Sequence, residues 1–144
     1  MLRALRQRLA ARRHARRLAA ITLDGARARA ARGADLLDDA HPGWAAHVDA
    51  GRLELADGAS CVLGQLHGGY RLGLGRARIL NLSSAPIASL SPVDLGFQAV
   101  GDLGEAAEAL DYALLTRAWR ECLRARQPDA APARAPHVAA RSRP

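Results

Sequence analysis

Apolar residues along the chain recur mainly at helical spacing, and the most regular stripe lies in residues 23–40. It contains Leu23, Ala26, Ala30, Ala34 and Leu37, with Arg29, Arg32, Asp35 and Asp39 on the opposite side. Thr22 is a suitable N-cap, and Pro42-Gly43 is a stop signal because the residue before a proline disfavours helical torsion angles. We predict one helix here. Because its stripe is mostly alanine, we expect the helix to pack closely against a partner.

A second periodic segment covers residues 104–126 and has a broader apolar face. One stripe contains Leu103, Ala107, Leu110, Leu114 and Ala118, and the stripe beside it contains Tyr112, Leu115, Trp119 and Leu123. A face of this width is typical of the central helix in a small bundle. We expect Arg117, Arg120 and Arg124 on the outside of this helix.

The residues between these two helices have weaker patterns. Trp44 follows the Pro-Gly turn and is predicted to anchor the core. The alternation over residues 53–55 predicts a very short strand or an extended link, and Ser60 is placed to cap a helix over residues 61–70. Residues 79–95 contain two prolines and four serines without helical periodicity, which predicts a long loop that is either functional or disordered.

The composition favours helices over a sheet. Alanine and leucine dominate the 49% hydrophobic fraction, and aromatic residues make up only 3% of the chain. We predict an all-α fold, a small three- to four-helix bundle over residues 22–126. Residues 1–21 are predicted to form a basic, arginine-rich arm. Residues 127–144 hold four prolines among alanine and arginine, which predicts a disordered tail.

All 21 basic residues are arginine. The absence of lysine excludes phosphate-binding P-loops, Schiff-base catalysis and pyridoxal phosphate enzymes, each of which needs a lysine. The charge is also uneven. Residues 1–32 hold ten arginines against Asp24 alone, residues 33–116 hold four against eleven acids, and residues 117–144 hold seven against two. We therefore expect an acidic body between two basic ends.

The first segment is helix-prone over residues 2–22, but arginines surround the predicted helix. Three leucines near its start share a face that Arg13 and Arg16 then continue. A membrane-surface helix needs separate apolar and polar faces. We predict instead a solvated basic arm that becomes ordered on a polyanion.

We expect a cytoplasmic protein that does not interact with membranes. The apolar run after the basic start is short and diluted, unlike that of a secretory signal, and no stretch is long and apolar enough for a membrane span. Cys61 and Cys122 are single and far apart in the sequence, which favours two reduced, partly buried thiols.

Four residues offer a possible metal site, in the pairs His41-x5-His47 and Cys61-x5-His67. Ligands six positions apart on a regular helix point about 240° away from each other, so Cys61 and His67 are not expected to reach one ion together. We therefore expect surface histidines, a core thiol and no cofactor. A metal-dependent or Cys/His enzyme is the third of the functions considered.

Nucleic acid is the partner that the arginines favour, since guanidinium groups bind phosphate bidentately and the neutralised phosphates release counterions. We predict the first contacts at Arg12, Arg13, Arg16 and Arg17. Five aromatic residues are too few for a base-stacking platform, and no helix-turn-helix spacing is present, so we expect sequence-independent binding. Alternatively, the basic ends contact an acidic protein surface or the acidic body of another copy in a homo-oligomer.

The stretch CVLGQLHGGY, residues 61–70, resembles a group of small uncharacterised proteins of actinobacteria and their phages. Further similar pieces are Gly33-Ala34-x-Leu36-Leu37-Asp38, Pro42-Gly43-Trp44, Leu53-x-Leu55, Gly73-Leu74, Gly96-Phe97 and Tyr112-x-x-Leu115-Thr116-x-x-Trp119-Arg120. The resemblance covers about residues 33–120. It implies a phage or mobile-element context and no catalytic residues.

These patterns predict a non-enzymatic interaction module whose arginine-rich ends bind nucleic acid or an acidic protein partner. The alternative is a small phage- or mobile-element-associated regulator that binds a host protein through its helical body. Gly64 and Gly68 lie one turn apart on the predicted helix 61–70 and would leave a bare strip where a partner helix approaches.

Overall fold

The structure, a computed structural model, describes residues 1–76 and 90–127. Its helices are α1 (Leu2–Ala19), α2 (Leu23–Ala40), α3 (Val62–His67), α4 (Tyr70–Arg76) and α5 (Glu105–Arg126), with a 3₁₀ helix at Trp44–His47. These two ranges contain no strand, and the predicted all-α class is confirmed. Four of the α-helices lie within residues 22–126, in agreement with a small bundle.

Helix α2 begins and ends where the sequence predicts. The Thr22 hydroxyl caps its start by accepting a hydrogen bond of 3.1 Å from the Gly25 N–H, and the helix ends at Ala40, before His41 and Pro42. The predicted stripe is almost fully buried over Ala26, Ala30, Ala34 and Leu37, which are 0–1% exposed. The small side chains allow the close packing expected of this helix.

Helix α2 packs against α5, and the two helices run in the same direction. The contacting pairs, in chain order, are Arg29 with Asp111, Gly33 with Trp119, and Asp38 with Arg126. These three pairs advance together along both helices, so the helices run in broadly the same direction, although the long side chains of Arg27 and Glu121 also join the start of α2 to a later part of α5. Residues 41–104 therefore return the chain from the end of α2 to the start of α5.

Two glycines allow this returning segment to pass close to α2. A Cβ atom at Gly33 would lie 2.2 Å from the Leu95 carbonyl oxygen and 2.8 Å from the ring of Trp119. Gly96 has a φ of 69°, and a Cβ atom there would lie 2.8 Å from the backbone nitrogen of Ala30. Any side chain at either position would therefore force backbone atoms apart.

Trp119 is the centre of an aromatic cluster that joins three parts of the fold. Its ring stacks on Phe97 with centroids 5.2 Å apart and meets Trp44 edge-on at 5.9 Å. The indole Nε1–H of Trp119 donates a hydrogen bond of 2.6 Å to the Gly96 carbonyl. Trp44 is 2% exposed, which confirms the prediction that it anchors the core.

A buried ion pair also joins α2, α5 and the returning segment. Arg29 Nη1 donates to both carboxylate oxygens of Asp111 at 2.8 and 2.9 Å, and the Asp111 side chain is only 1% exposed. Arg29 also donates to the carbonyls of Val93 and Gln98, each at 2.7 Å, and Asp111 accepts the Val100 N–H at 2.9 Å. The prediction that Arg29 lies on the exposed side of α2 is therefore wrong.

The predicted single helix over residues 61–70 is wrong, because the chain breaks there into α3 and α4. Gly68 ends α3 in a left-handed conformation with a φ of 87°, and α4 begins at Tyr70. The cap also differs from the prediction. The Cys61 sulfur accepts the Gly64 N–H at 3.3 Å, whereas the Ser60 hydroxyl donates to Asp57.

Helix α5 has a narrower buried face than the sequence predicts. Trp119, Leu115 and Leu123 are fully buried as expected, but Leu110 is 51% exposed. Arg120, expected on the outside, is half-buried and donates to the carbonyls of Ala50 and Leu53 at 3.2 and 2.8 Å. The guanidinium group thereby satisfies carbonyls in a segment that has no backbone ladder.

The predicted irregular segments are described only in part. Residues 53–55 form an extended link rather than a strand, with Leu53 and Leu55 buried. Of the predicted loop 79–95, the described end includes Leu95, which is 1% exposed. The rest of that loop, and the predicted tail beyond Gln127, lie outside the described residues.

Candidate nucleic-acid interface

Helix α1 consists mainly of residues with a high intrinsic helix propensity. It contains alanine, leucine, arginine and glutamine, which are strong helix formers, and it has no glycine, proline or acidic residue. None of its residues is buried. The prediction of an arm that becomes ordered only on a polyanion therefore differs from the structure, in which α1 is helical.

Three of the four predicted contact residues lie on one side of α1 and are exposed. At 3.6 residues per turn, Arg12, Arg13 and Arg16 fall within about 100° of arc around the helix axis. In the described part of the chain, none of the three forms an ion pair with a carboxylate. Their guanidinium groups are accessible to an anion.

The fourth residue, Arg17, is already paired with the body. Its two terminal nitrogens donate to the Asp102 carboxylate at 2.5 and 2.6 Å. This contact lowers the pKa of Asp102 and raises that of Arg17. Both side chains are at least half exposed, so water and salt screen the pair and it attaches α1 only weakly.

The arginines of the body differ from those of α1, because several of them hold the fold together. The engaged residues are Arg27 with Glu121 at 2.7 Å, Arg29 with Asp111, Arg126 with Asp38 at 2.6 Å, and Arg120 with two backbone carbonyls. The Arg126 guanidinium lowers the pKa of Asp38, which also accepts a hydrogen bond of 2.8 Å from the Trp44 indole. The structure thus separates structural arginines from exposed ones.

The predicted strip at Gly64 and Gly68 is not an open groove. A Cβ atom at Gly64 would lie 2.2 Å from the Gly58 carbonyl oxygen and 2.7 Å from Ala59, so the chain's own turn covers this position. Gly68 is exposed and ends α3. The bare strip expected for a partner helix is therefore filled at one of its two glycines.

The four candidate metal ligands separate into three histidines and an excluded cysteine. His41, His47 and His67 line one cavity of about 410 Å³ beside Pro42. Cys61 is 2% exposed and caps α3, and burial raises the pKa of its thiol, which disfavours the thiolate that a metal binds. No three His, Cys, Asp or Glu side chains of the described residues are already arranged around a common metal position.

Sequence reasoning had no signal for the partner of Arg17, because Asp102 is 85 positions away. The sequence did indicate His41, His47 and His67 as possible ligands, but as members of two separate pairs rather than as one group around a cavity.

Within the described ranges, no helix has the length and apolar character needed to cross a membrane.

The roles considered for these residues follow from geometry and charge alone. Searches with the whole chain against protein-family models, curated proteins and solved structures gave no match. The resemblance to small actinobacterial and phage proteins therefore stays a prediction from the CVLGQL stretch and its flanking pieces.

Proposed function

We propose that the protein binds the phosphate backbone of nucleic acids through α1, without sequence preference. The observation that supports the proposal is the unequal use of arginine. Several arginines of the body contact carboxylates or carbonyls, and exposed ones such as Arg52, Arg71 and Arg124 lie on different elements. Arg12, Arg13 and Arg16 instead lie together on one side of α1 and make no ion pair with a described carboxylate. Exposed guanidinium groups on a helix without acids attract a polyanion and form bidentate contacts with its phosphates.

The dimensions of α1 suit a duplex. Its 18 residues extend over about 27 Å at 1.5 Å per residue, which approaches one turn of DNA. An α-helix with its side chains is about 10–12 Å wide, close to the width of the major groove. Arginines on both sides of α1 would then face the phosphates of the two strands.

The distribution of charge favours nucleic acid over an acidic protein. Seven arginines are spread around α1, and its exposed leucines do not form a separate apolar face of the kind that a helix-binding protein groove needs. The aromatic cluster of Trp44, Phe97 and Trp119 is buried and therefore not accessible for stacking on bases. Both features support backbone contacts without base recognition.

Replacing the three unpaired arginines with glutamine tests this proposal. The variant R12Q/R13Q/R16Q keeps a strong helix former at each position but removes three charges. We expect it to bind a random-sequence 30-bp duplex at least about tenfold more weakly than the wild type, with a slope of log K against log salt that is smaller by about 2.7. Fluorescence anisotropy of the labelled duplex between about 50 and 200 mM salt measures both quantities.

A matched control removes three exposed arginines from the body, in the variant R52Q/R71Q/R124Q. We expect its affinity to stay within about threefold of the wild type, because charges away from the contact contribute mainly through the screened field of the whole protein. Equal weakening in the two triple variants would contradict a site on α1. Polyglutamate that displaces the protein more effectively than unlabelled duplex would identify an acidic protein partner instead.

Asp102→Asn should strengthen duplex binding, in contrast to the arginine substitutions. Without the carboxylate, Arg17 becomes free to contact a phosphate, and we expect duplex affinity to rise about two- to threefold with a salt slope larger by about 0.9. Asp39→Asn, which removes an exposed acid of α2, is the control and should change neither value. Weaker binding by the Asp102 variant would show instead that the ion pair orients α1 for binding.

A further inference from the structure

His41 and His67 lie next to each other although 25 residues separate them in the sequence. His41 follows the last residue of α2, and His67 is the last residue of α3. Their ring centroids are 5.0 Å apart, with an angle of 59° between the ring planes. Both rings face the cavity beside Pro42, and exposed His47 borders it as well.

The two rings share an unusual feature. The Nε2 atoms of His41 and His67 are both shielded from solvent, yet neither has a hydrogen-bond partner among the described residues. These are the only two such side-chain nitrogens or oxygens in that part of the chain. Buried polar atoms of folded proteins are nearly always paired, so two neighbouring nitrogens without a protein partner on one cavity wall mark a place where a ligand can bind.

The ligand that suits two imidazole nitrogens is a metal ion. Two imidazoles bound through nitrogen to one tetrahedral Zn²⁺, at about 2.0–2.1 Å each, have ring centres about 5 Å apart. The observed separation of 5.0 Å agrees with that distance. A hydrogen bond between the two rings would instead have paired their nitrogens.

The surroundings keep at least one of the rings in the form that binds metal. Burial lowers the pKa of His67, and the nearby His41 and Arg76 lower it further. The neutral imidazole, which has a free lone pair, therefore prevails at neutral pH. Arg76 is exposed, so solvent screens its repulsion of a cation.

We propose that His41 and His67 form an exchangeable binding site for Zn²⁺ or a similar divalent transition metal. The two histidines supply two ligands, and water that enters through the neighbouring cavity with the ion completes the coordination. Imidazole ligands without carboxylates select zinc, copper or nickel over magnesium and calcium. A bound ion would tie the end of α2 to the end of α3.

Zinc titration of the full chain, with a competing chromophoric chelator, tests the site through His41→Gln and His67→Gln. We expect the wild type to bind one Zn²⁺ and each variant to bind it at least about tenfold more weakly, since each substitution removes one of the two protein ligands. His14→Gln is the matched control, because His14 is exposed on α1, and it should bind like the wild type. Circular dichroism without zinc checks that each variant is folded.

A second measurement needs no variant. In ¹H–¹⁵N correlation spectra of the histidine side chains of the wild type, we expect Zn²⁺ to shift the Nε2 resonances of His41 and His67 and to leave those of His14 in place. Unchanged resonances of His41 and His67, or variants that bind zinc as tightly as the wild type, would overturn the proposal. The proposal would also be overturned if His14→Gln weakened zinc binding as much as His41→Gln or His67→Gln.

Discussion

Asp111→Ala should lower the free energy of unfolding by about 3–5 kcal/mol, because it leaves the charge of Arg29 buried without its partner. The Asp111 side chain is 1% exposed and accepts hydrogen bonds from Arg29 and from the Val100 N–H. Its loss also leaves that N–H unpaired, and Arg29 escapes a buried, unpaired state only by turning towards water. The carbonyls of Val93 and Gln98, which Arg29 holds, then lose their donor as well.

Urea denaturation followed by circular dichroism measures this loss. Asp39→Ala is the control, because Asp39 is an exposed acid of α2, and it should change stability by less than about 0.5 kcal/mol. Replacing both partners with apolar residues should not restore stability, since the backbone groups they satisfy would remain unpaired. A loss below about 1 kcal/mol for Asp111→Ala would contradict this account of the ion pair.

Trp119→Ala should be similarly destabilising, by about 3–5 kcal/mol, because it empties the centre of the core. Trp119 is 0% exposed, stacks on Phe97 and donates to the Gly96 carbonyl. The Trp119 ring also lies directly over Gly33, where a Cβ atom would be only 2.8 Å from it, and Gly33 has no side chain to fill the space that the ring leaves. Trp119→Phe keeps most of the ring contacts but loses the hydrogen bond, so its loss should be intermediate.

The same urea titration applies, and Leu110→Ala is the informative control. From the sequence, Leu110 belongs to the apolar stripe of α5 together with Leu114, but the structure leaves it 51% exposed. We expect a change of less than about 0.5 kcal/mol at this position. A large loss at Leu110, or a loss at Trp119 no larger than at Leu110, would contradict the described packing of α5.

How well the fold was predicted depends on how local each determinant is. The bounds of α2 follow from a cap, a stripe and a proline that lie within 20 residues of one another, and the sequence predicts them. The exposure of Leu110 depends on what covers α5 along its length, and periodicity alone does not give that information. The break at Gly68 requires a left-handed conformation, which a glycine permits but does not impose.

The charged residues and the histidines also show that local features can be predicted from the sequence, whereas contacts between distant residues cannot. The density of arginine in α1 is visible in the sequence, so Arg12, Arg13 and Arg16 are predictable candidates. That Arg29 is structural depends on Asp111, 82 positions away, and a pattern along one helix cannot find such a partner. His41 and His67 come together only because the turn after α2 folds back onto α3.

The weak attachment of α1 affects how quickly the protein would meet a partner. The helix is held near its end by Arg17 and extends over about 27 Å, whereas electrostatic fields decay over about 8 Å at physiological ionic strength. Arg3, Arg6 and Arg8 lie about 13–21 Å along the helix from Arg17, beyond the screening distance of that attachment, so the acids near Asp102 do not cancel their charge. A polyanion would experience the local charge of the arm rather than the modest charge of the whole chain. Encounter rates should accordingly depend steeply on salt even though the body is acidic.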